Sequence, residues 1–187
     1  VLTRLEKIPT NIFETIEEGV EQIANEIVAK IQDRQREGKF CTIAIGTGAS
    51  LRPLFTELIR KHKDKGVSFR NVVFFNLYEY YPLVEGAGSS FNHLNKLFLS
   101  QIDIDHQNIF TMDGSIPQEA IIEHCRLYEQ RIQTFGGLDM VIMGIGREGN
   151  IGMNEPGSHA SSTTRLILVD ATSRSEAARN IGVDNLP

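Results

Sequence analysis

The sequence has little of what marks secreted, membrane-spanning or metal-binding proteins. It contains 2 cysteines, Cys41 and Cys125, and both lie in apolar, regularly patterned segments. We therefore expect reduced core thiols, not a disulfide framework or a metal site. No apolar stretch approaches the ~20 residues that cross a bilayer, and no signal peptide is apparent. These absences predict a cytoplasmic protein with no membrane partner.

Positive charge is also scarce, since 19 Lys and Arg oppose 24 Asp and Glu. The net charge of −5, with no basic cluster, argues against a nucleic-acid partner. His93 and His106 have no partners at metal-ligand spacing, so we expect surface histidines and no metal. Repeats and low-complexity linkers are missing as well. A chain of this length suits one domain with a sizeable core, and we predict a single domain over residues 1–187.

What is present is an alternation of strand-like and helix-like segments. A first helix is predicted to begin at a capping box, either Asn11 with Glu14 or Thr15 with Glu18. Later helices are predicted at about 51–63, 91–99 and 121–135, and from Ser173, which could cap the last one. Apolar runs predict strands at 40–45, 72–75, 108–111, 140–143 and 165–169. This order is typical of an α/β sheet with helices on both faces.

A loop rich in glycine and hydroxyl groups follows the first predicted strand, and it reads Gly46, Thr47, Gly48, Ala49, Ser50. A strand, such a loop and a helix N-terminus together present free backbone N–H groups to an anion. The hydroxyls of Thr47 and Ser50 would add donors to a bound phosphate. It is not a P-loop, because no Gly-Lys-Ser/Thr ending is present. An anion-binding loop and a tight turn without a ligand both remain open interpretations.

Polar and aromatic residues follow the second predicted strand, in the segment NLYEYYP at 76–82. If the first two strands are parallel neighbours, this segment lies beside the Gly46 loop. Tyr78 and Glu79 are then candidates for catalytic or sugar-contacting groups. Tyr81 is better explained as a packing residue with a hydrated hydroxyl.

The densest group of glycines and chemically active residues follows the predicted strand at 140–143. Glycines at 144, 146, 149 and 152 are interleaved with polar side chains, which are Arg147, Glu148, Asn150, Asn154 and Glu155. Glycines at the end of a strand let the backbone turn sharply and let a ligand approach the main chain. Ligands bind at this edge of an open parallel sheet. We predict a site here; the alternative is a glycine-rich loop with solvated charges.

These segments together resemble the glucosamine-6-phosphate deaminases, also called isomerases, a sister family of the 6-phosphogluconolactonases. The resemblance rests on GTGAS, VVFFNLYEYYPL and GIGREGNIGMNEPGS, and it extends to SFRN, IDIDHQNIF, MDG and YEQRI. It implies a Rossmann-like α/β fold, a three-layer sandwich with a mostly parallel sheet. It also implies a sugar-phosphate ligand, no metal or organic cofactor, and conversion of glucosamine 6-phosphate to fructose 6-phosphate and ammonia in amino-sugar catabolism.

The resemblance also implies roles for single residues. The substrate would be bound by Leu77, Gly144, Arg179 and the loop from Thr47 to Ser50. Two acidic residues of the catalytic site persist, one as Glu148, which is an aspartate in most of the family, and the other as Glu155.

Two proton-transfer positions depart from the family pattern. The family's general base is an aspartate in FN-x-D-E-Y, where this chain has Tyr78, and a phenol of pKa ~10 is almost fully protonated at neutral pH. The family's ring-opening histidine in G-x-D/E-G-H-I is Asn150 here, which cannot titrate. We therefore expect ligand binding with weakened or altered catalysis, or a non-catalytic sugar-phosphate-binding module of a larger protein. Glu79 is the substitute base to test.

Further expectations concern regulation and assembly. Ser158 and Arg165 match the allosteric N-acetylglucosamine 6-phosphate site of regulated members, but a basic partner is replaced by Ile167, so this regulation is not expected. We also expect the protein to form a homo-oligomer. Because the family continues through further strand–helix units, this chain is expected to lack the C-terminal part of the fold.

Overall fold

Each strand of the sheet is parallel to its neighbours. The computed structural model describes residues 8–83, 88–146 and 149–181. Within these ranges the strands are β1 (Cys41–Ile45), β2 (Val72–Asn76), β3 (Ile109–Phe110) and β4 (Met140–Ile142). Their order is β3-β2-β1-β4, and Ile45 is level with Asn76 on one side and Ile142 on the other. Because the chain order reverses between β1 and β4, the loops after these strands border a crevice where α/β proteins bind ligands.

The helices of the described ranges are α1 (Ile16–Arg36), α2 (Arg52–Lys65), α3 (Ser90–Leu97), α4 (Ile121–Thr134) and α5 (Ala171–Ile181). Of the two predicted caps for α1, Thr15 is used, and its hydroxyl accepts the Glu18 N–H at 3.2 Å. A 3₁₀ turn at Ala49–Leu51 leads directly into α2. None of the helices in the described ranges combines the length and apolar character needed to cross a membrane.

Alternation along the strands separates two apolar cores, one on each face of the sheet. One face of β1 and β2 packs against α1 and α2, with the side chains Ile43, Ile45, Val72, Phe74, Ile27, Ile31, Phe55 and Leu58. The opposite face packs against α4, with Ala44, Val73, Phe75, Tyr128 and Ile132. Each large side chain buried in this way contributes about 1.5–3 kcal/mol. The helices therefore lie on both faces, which confirms the expected three-layer α/β sandwich.

The buried carboxylate of Asp139 joins α1 to the edge of the sheet. Arg34 donates to its Oδ1 from Nε at 2.8 Å and also from Nη2. The Thr42 N–H donates to Oδ2 at 3.0 Å, and the Asp139 N–H donates back to the Thr42 carbonyl at 2.8 Å. Lys30 lies 3.6 Å from Oδ1. One carboxylate thus fixes the entry to β4 against both β1 and α1.

The predicted strand at 165–169 is wrong. All of these residues are described, yet they form no strand. Leu166 and Leu168 are exposed, the latter by 95%. The apolar run was not sufficient to predict a strand, because a strand also needs a partner for its backbone hydrogen bonds. The start of α5 is corrected as well, since the Asp170 carboxylate accepts the N–H groups of Thr172 and Ser173 and caps the helix ahead of Ser173.

The predictions for the thiols and histidines met different outcomes. Cys41 lies in the core, where burial raises the pKa of its thiol to about 11. Cys125 is only half-buried, and burial raises the pKa of its thiol too. His106 is exposed, as expected. The surface assignment of His93 is wrong, because α3 holds the side chain half-buried and burial lowers the pKa of its imidazole.

Candidate functional site

The loops after β1 and β4 meet at the C-terminal edge of the sheet. The Gly46 N–H donates to the Ile142 carbonyl at 3.0 Å. Farther along, the Ser50 Oγ lies 2.9 Å from the position that a β-carbon on Gly144 would occupy. Since real β-carbons do not approach other atoms so closely, glycine at 144 is what allows this approach. The structure therefore brings together Ser50 and Gly144, two residues predicted to bind substrate.

Leu77 joins this group from the loop after β2. Its Cδ2 lies 3.6 Å from the β-carbon position on Gly46 and 4.0 Å from that on Gly152. The side chain therefore bridges the loops after β1 and β4. An apolar side chain at this place shapes the floor of the crevice.

Tyr78 reaches from the same segment into the loop after β1. The Thr47 N–H donates to the Tyr78 hydroxyl oxygen at 3.1 Å, and the Thr47 Oγ1 lies 2.8 Å from the same oxygen. The Thr47 hydroxyl also lies 3.1 Å from the Ser90 hydroxyl, at the start of α3. Thr47 and Ser90 are 2% and 0% exposed. Tyr78 is thus part of a buried hydrogen-bond network that joins three elements.

Glu79 accepts hydrogen bonds at the start of α3. The N–H groups of Ser90 and Phe91 donate to its carboxylate at 2.8 and 3.1 Å, and the Ser89 hydroxyl donates at 2.8 Å. The Tyr80 N–H adds a fourth bond at 2.9 Å. A carboxylate at a helix N-terminus pairs with donors that have no intrahelical partner. Glu79 therefore anchors α3 to the loop after β2, a role that the sequence did not reveal.

The backbone around Glu79 is closely packed against Gly114. The Leu83 N–H donates to the Gly114 carbonyl at 2.6 Å, and the Tyr80 carbonyl oxygen occupies the space in which a β-carbon on Gly114 would lie. We expect Gly114→Ala to displace this backbone and to cost about 1–3 kcal/mol of unfolding free energy, measurable by urea denaturation. Gly19→Ala is the control, because that β-carbon would meet only the movable Phe13 ring at 3.1 Å. Equal stabilities of the two variants would contradict the expectation.

Asn150 is held inside the loop after β4. The Gly146 N–H donates to the Asn150 carbonyl at 2.8 Å, within a turn closed by the Ile145–Ile151 bridge. The Asn150 side-chain amide fills the space in which a β-carbon on Gly146 would lie. Its Nδ2 lies 3.5 Å from the Gly152 carbonyl. Asn150 therefore shapes the loop, and Glu148, its predicted catalytic neighbour, lies outside the described residues.

Glu155 lies farther along, in a cavity that it shares with Asp170, Pro156, Leu168 and Val169. The side chain is half-buried. Within the described part of the chain, its Oε1 atom is buried without a hydrogen-bond partner. The pKa of the neighbouring Asp170 is lowered, chiefly by hydrogen bonds from Ser173. Glu155 thus faces the start of α5.

The three remaining predicted residues are exposed. Arg165 donates from Nη2 to the Ser158 hydroxyl and to Asn154 Oδ1, both at 3.0 Å, so the two residues of the possible allosteric site are adjacent. Arg179 donates from Nε to the Ser175 carbonyl of its own helix at 3.1 Å. Across residues 8–83, 88–146 and 149–181, no hydrogen bond or ion pair joins Arg179 to the loop after β1.

Asn76 and Ser90 belong to the site but were not predicted from the sequence. Asn76 closes β2 and is 2% exposed, and its side-chain Oδ1 and Nδ2 have no partners among the described residues. Its backbone carbonyl accepts the Tyr128 hydroxyl at 2.7 Å. Asn76 could have been proposed from the sequence, because it is a polar residue at the end of an apolar run. Ser90 could not, since only the fold places its hydroxyl against that of Thr47.

The chemistry of the site follows from these groups. Its donors are backbone N–H groups and hydroxyls, which suit an anion. Over the described ranges, no cluster of three or more His, Cys, Asp or Glu residues could hold a metal ion.

A model of the family described as glucosamine-6-phosphate isomerases/6-phosphogluconolactonase matches residues 14–181. The chain belongs to this family. Among solved family structures, a monomeric glucosamine-6-phosphate deaminase superposes with a TM-score of 0.83 at 28% identity, over 93% of this chain and 71% of that one. A 6-phosphogluconolactonase from Thermotoga maritima has a TM-score of 0.59 at 22% identity, over 71% of this chain and 58% of that one, and shares the fold.

Family members with similar sequences include longer proteins. A glucosamine-6-phosphate deaminase-like protein of Bacteroides thetaiotaomicron is 56% identical over 189 aligned positions, which cover 100% of this chain and 28% of the relative. The glucosamine-6-phosphate deaminase of Dictyostelium discoideum is 35% identical over 155 positions, covering 80% of this chain and 57% of the relative. This chain therefore spans well under two thirds of either relative.

Proposed function

We propose that this chain binds an amino-sugar phosphate, of which glucosamine 6-phosphate is the first candidate, and deaminates it slowly to fructose 6-phosphate and ammonia. The observation that carries the proposal is the close approach of Ser50 to Gly144 where the strand order reverses. That crevice is the binding place of open α/β sheets, and the family to which the chain belongs is named for this substrate.

The phosphate is placed at the loop from Gly48 to Ser50. In the described part of the chain, the N–H groups of Gly48, Ala49 and Ser50 have no assigned acceptor. They begin a helical segment that continues into α2, so they offer both donors and the positive end of a helix dipole. The exposed Ser50 hydroxyl adds a further donor.

Weak catalysis follows from the groups at the two proton-transfer positions. The reaction needs a base near the C2 proton and an acid–base group at the ring oxygen. Tyr78 is hydrogen-bonded to Thr47, and Asn150 has no titratable proton. Each missing group lowers the rate by roughly 10²–10⁴-fold. Glu79 as a replacement base would have to give up bonds that anchor α3.

A non-catalytic sugar-phosphate-binding module of a larger protein is the second candidate. It is favoured by the structural hydrogen bonds in which Tyr78 and Glu79 both take part. It also agrees with the Bacteroides thetaiotaomicron relative, of which this chain spans only 28%. Either function would suit a cytoplasmic protein of amino-sugar catabolism. We further propose that residues 1–187 form one domain, and a homo-oligomer stays a prediction.

Calorimetric titration with glucosamine 6-phosphate tests the binding site. We expect Ser50→Ala to weaken binding roughly tenfold, because a hydrogen bond to a charged group contributes about 1.5–3 kcal/mol. Arg179→Ala should also weaken binding if the guanidinium turns toward the phosphate, whereas Arg174→Ala, a change at another exposed position of the same helix, should not. Unchanged affinity in the Ser50 variant would contradict this phosphate site.

Ammonia and fructose 6-phosphate, followed in the same samples, separate the two functions. Slow turnover that requires the intact site supports a weakened deaminase, and binding without turnover supports the module. Ordinary enzymatic rates that survive Tyr78→Phe and Asn150→Ala would contradict the assignment of weak catalysis.

A further inference from the structure

The phenol of Tyr78 occupies donors that a phosphate in this loop would otherwise use. Its oxygen accepts the Thr47 N–H at 3.1 Å and lies 2.8 Å from the Thr47 hydroxyl. Its ring lies over the start of the loop, with Cε1 3.6 Å from the β-carbon position on Gly46. Tyr78 therefore covers Thr47 from the side of the loop after β2.

The hydrogens of this network can be assigned in two consistent ways, and both engage the two donors of Thr47. In the first, because the Thr47 N–H donates to the phenol oxygen, the phenol O–H is free to donate to Thr47 Oγ1. The Thr47 O–H then donates to the Ser90 hydroxyl, 3.1 Å away. Both donors of Thr47 are thus engaged within the protein. A phosphate is left with the N–H groups of residues 48–50 and the Ser50 hydroxyl.

Because Thr47 is buried, breaking its hydrogen bond to Tyr78 costs free energy. Thr47 is 2% exposed, so water does not replace the phenol when that bond breaks, and an unpaired buried donor costs about 1–3 kcal/mol. An anion oxygen could take the place of the phenol oxygen only by breaking the two contacts of that hydroxyl with Thr47.

We propose that Tyr78 limits the affinity of the phosphate site for anions, because its hydroxyl competes with them for Thr47. This rests on the proposed function, because it presumes that the anion binds at the loop after β1. A ligand with further groups that contact the crevice can offset the competition, whereas inorganic phosphate cannot. Free phosphate is therefore the ligand whose affinity reports the competition most directly.

Titration of the intact protein with inorganic phosphate tests the proposal. Tyr78→Phe keeps the ring and removes only the hydroxyl, and we expect it to bind phosphate about fivefold more tightly, the equivalent of one neutral hydrogen bond of about 1 kcal/mol. Tyr81→Phe is the matched control and should leave the affinity unchanged. Circular dichroism establishes that both variants are folded.

Amide hydrogen exchange at Thr47 measures the contact directly. Exchange should accelerate in Tyr78→Phe without phosphate and slow again when phosphate is added. If Tyr78→Phe binds phosphate as tightly as the wild type or more weakly, the proposal for Tyr78 is overturned. The phosphate site would still stand in that case, provided that the wild type binds phosphate. The phosphate site itself would be overturned by two results together. Neither the wild type nor Tyr78→Phe would bind phosphate, and Ser50→Ala would bind glucosamine 6-phosphate as tightly as the wild type does.

Discussion

Replacing Asp139 by alanine is expected to lower the unfolding free energy by about 3 kcal/mol, the lower end of the range for removing one partner of a buried ion pair. The side chain of Asp139 is 7% exposed, and that of its partner Arg34 is 29% exposed. The variant loses the carboxylate that accepts from Arg34 and from the Thr42 N–H. It leaves both donors without their acceptor at the junction of α1, β1 and β4.

Urea denaturation measures this loss, with Asp33→Ala as the matched control. Asp33 also pairs with an arginine of α1, but its side chain is 55% exposed and that of Arg36 is 78% exposed. Surface pairs of this kind contribute about 0–1 kcal/mol. A similar loss in both variants would contradict a special role for Asp139.

The contribution of Asp139 to the unfolding free energy should depend on pH. Burial alone raises the pKa of Asp139, but hydrogen bonds from Arg34 and the Thr42 N–H outweigh it, and the folded-state pKa is lowered. The stabilisation is therefore fully present above the unfolded-state pKa of about 3.9 and is lost as the pH falls through the folded-state value. The difference between wild type and Asp139→Ala should narrow below about pH 4.

Introducing titratable groups at the two proposed proton-transfer positions should produce the largest change in activity. The double variant Tyr78→Asp, Asn150→His is expected to deaminate glucosamine 6-phosphate at least about 10²-fold faster than the wild type. A carboxylate of reference pKa about 3.9 is ionised at neutral pH, and an imidazole of about 6.5 exchanges protons there. The aspartate would also release Thr47 from its bond to the phenol.

The control is Tyr78→Asn with Asn150→Gln, which makes similar changes of size without a titratable group. Ammonia release and calorimetric binding, measured together, separate chemistry from affinity. If the double variant binds substrate but turns over no faster than the control, then Tyr78 and Asn150 are not what limits the reaction.

Local patterns predicted most of the fold because the elements carry their own signals. The apolar runs of β1, β2 and β4 and the stripe of α1 were found at nearly their observed bounds. The run at 165–169 failed because strand formation depends on a partner. His93 failed in the same way, since its burial depends on where α3 packs.

Some residues of the candidate site were likewise predictable from local sequence, whereas their long-range contacts were not. The loops of Ser50 and Gly144 could be proposed from the ends of predicted strands, because parallel strands bring those ends together, whereas a role for Leu77 came only from the family resemblance. The bond from Thr47 to Tyr78 could not, because it spans 31 positions of the chain. The anchoring of α3 by Glu79 was hidden for a similar reason, as its four donors come from both sides of a loop.

The sequence by itself predicted the α/β architecture, the loops at the ends of the strands and, through the family resemblance, a substitution at two proton-transfer positions. The first two follow from residue type and spacing along the chain. Only the tertiary structure decided which groups Tyr78 contacts, because hydrogen bonds join groups that are distant in sequence. The resemblance places Tyr78 where a base is expected, and the structure shows its hydroxyl bonded to Thr47, in the loop proposed to bind the phosphate.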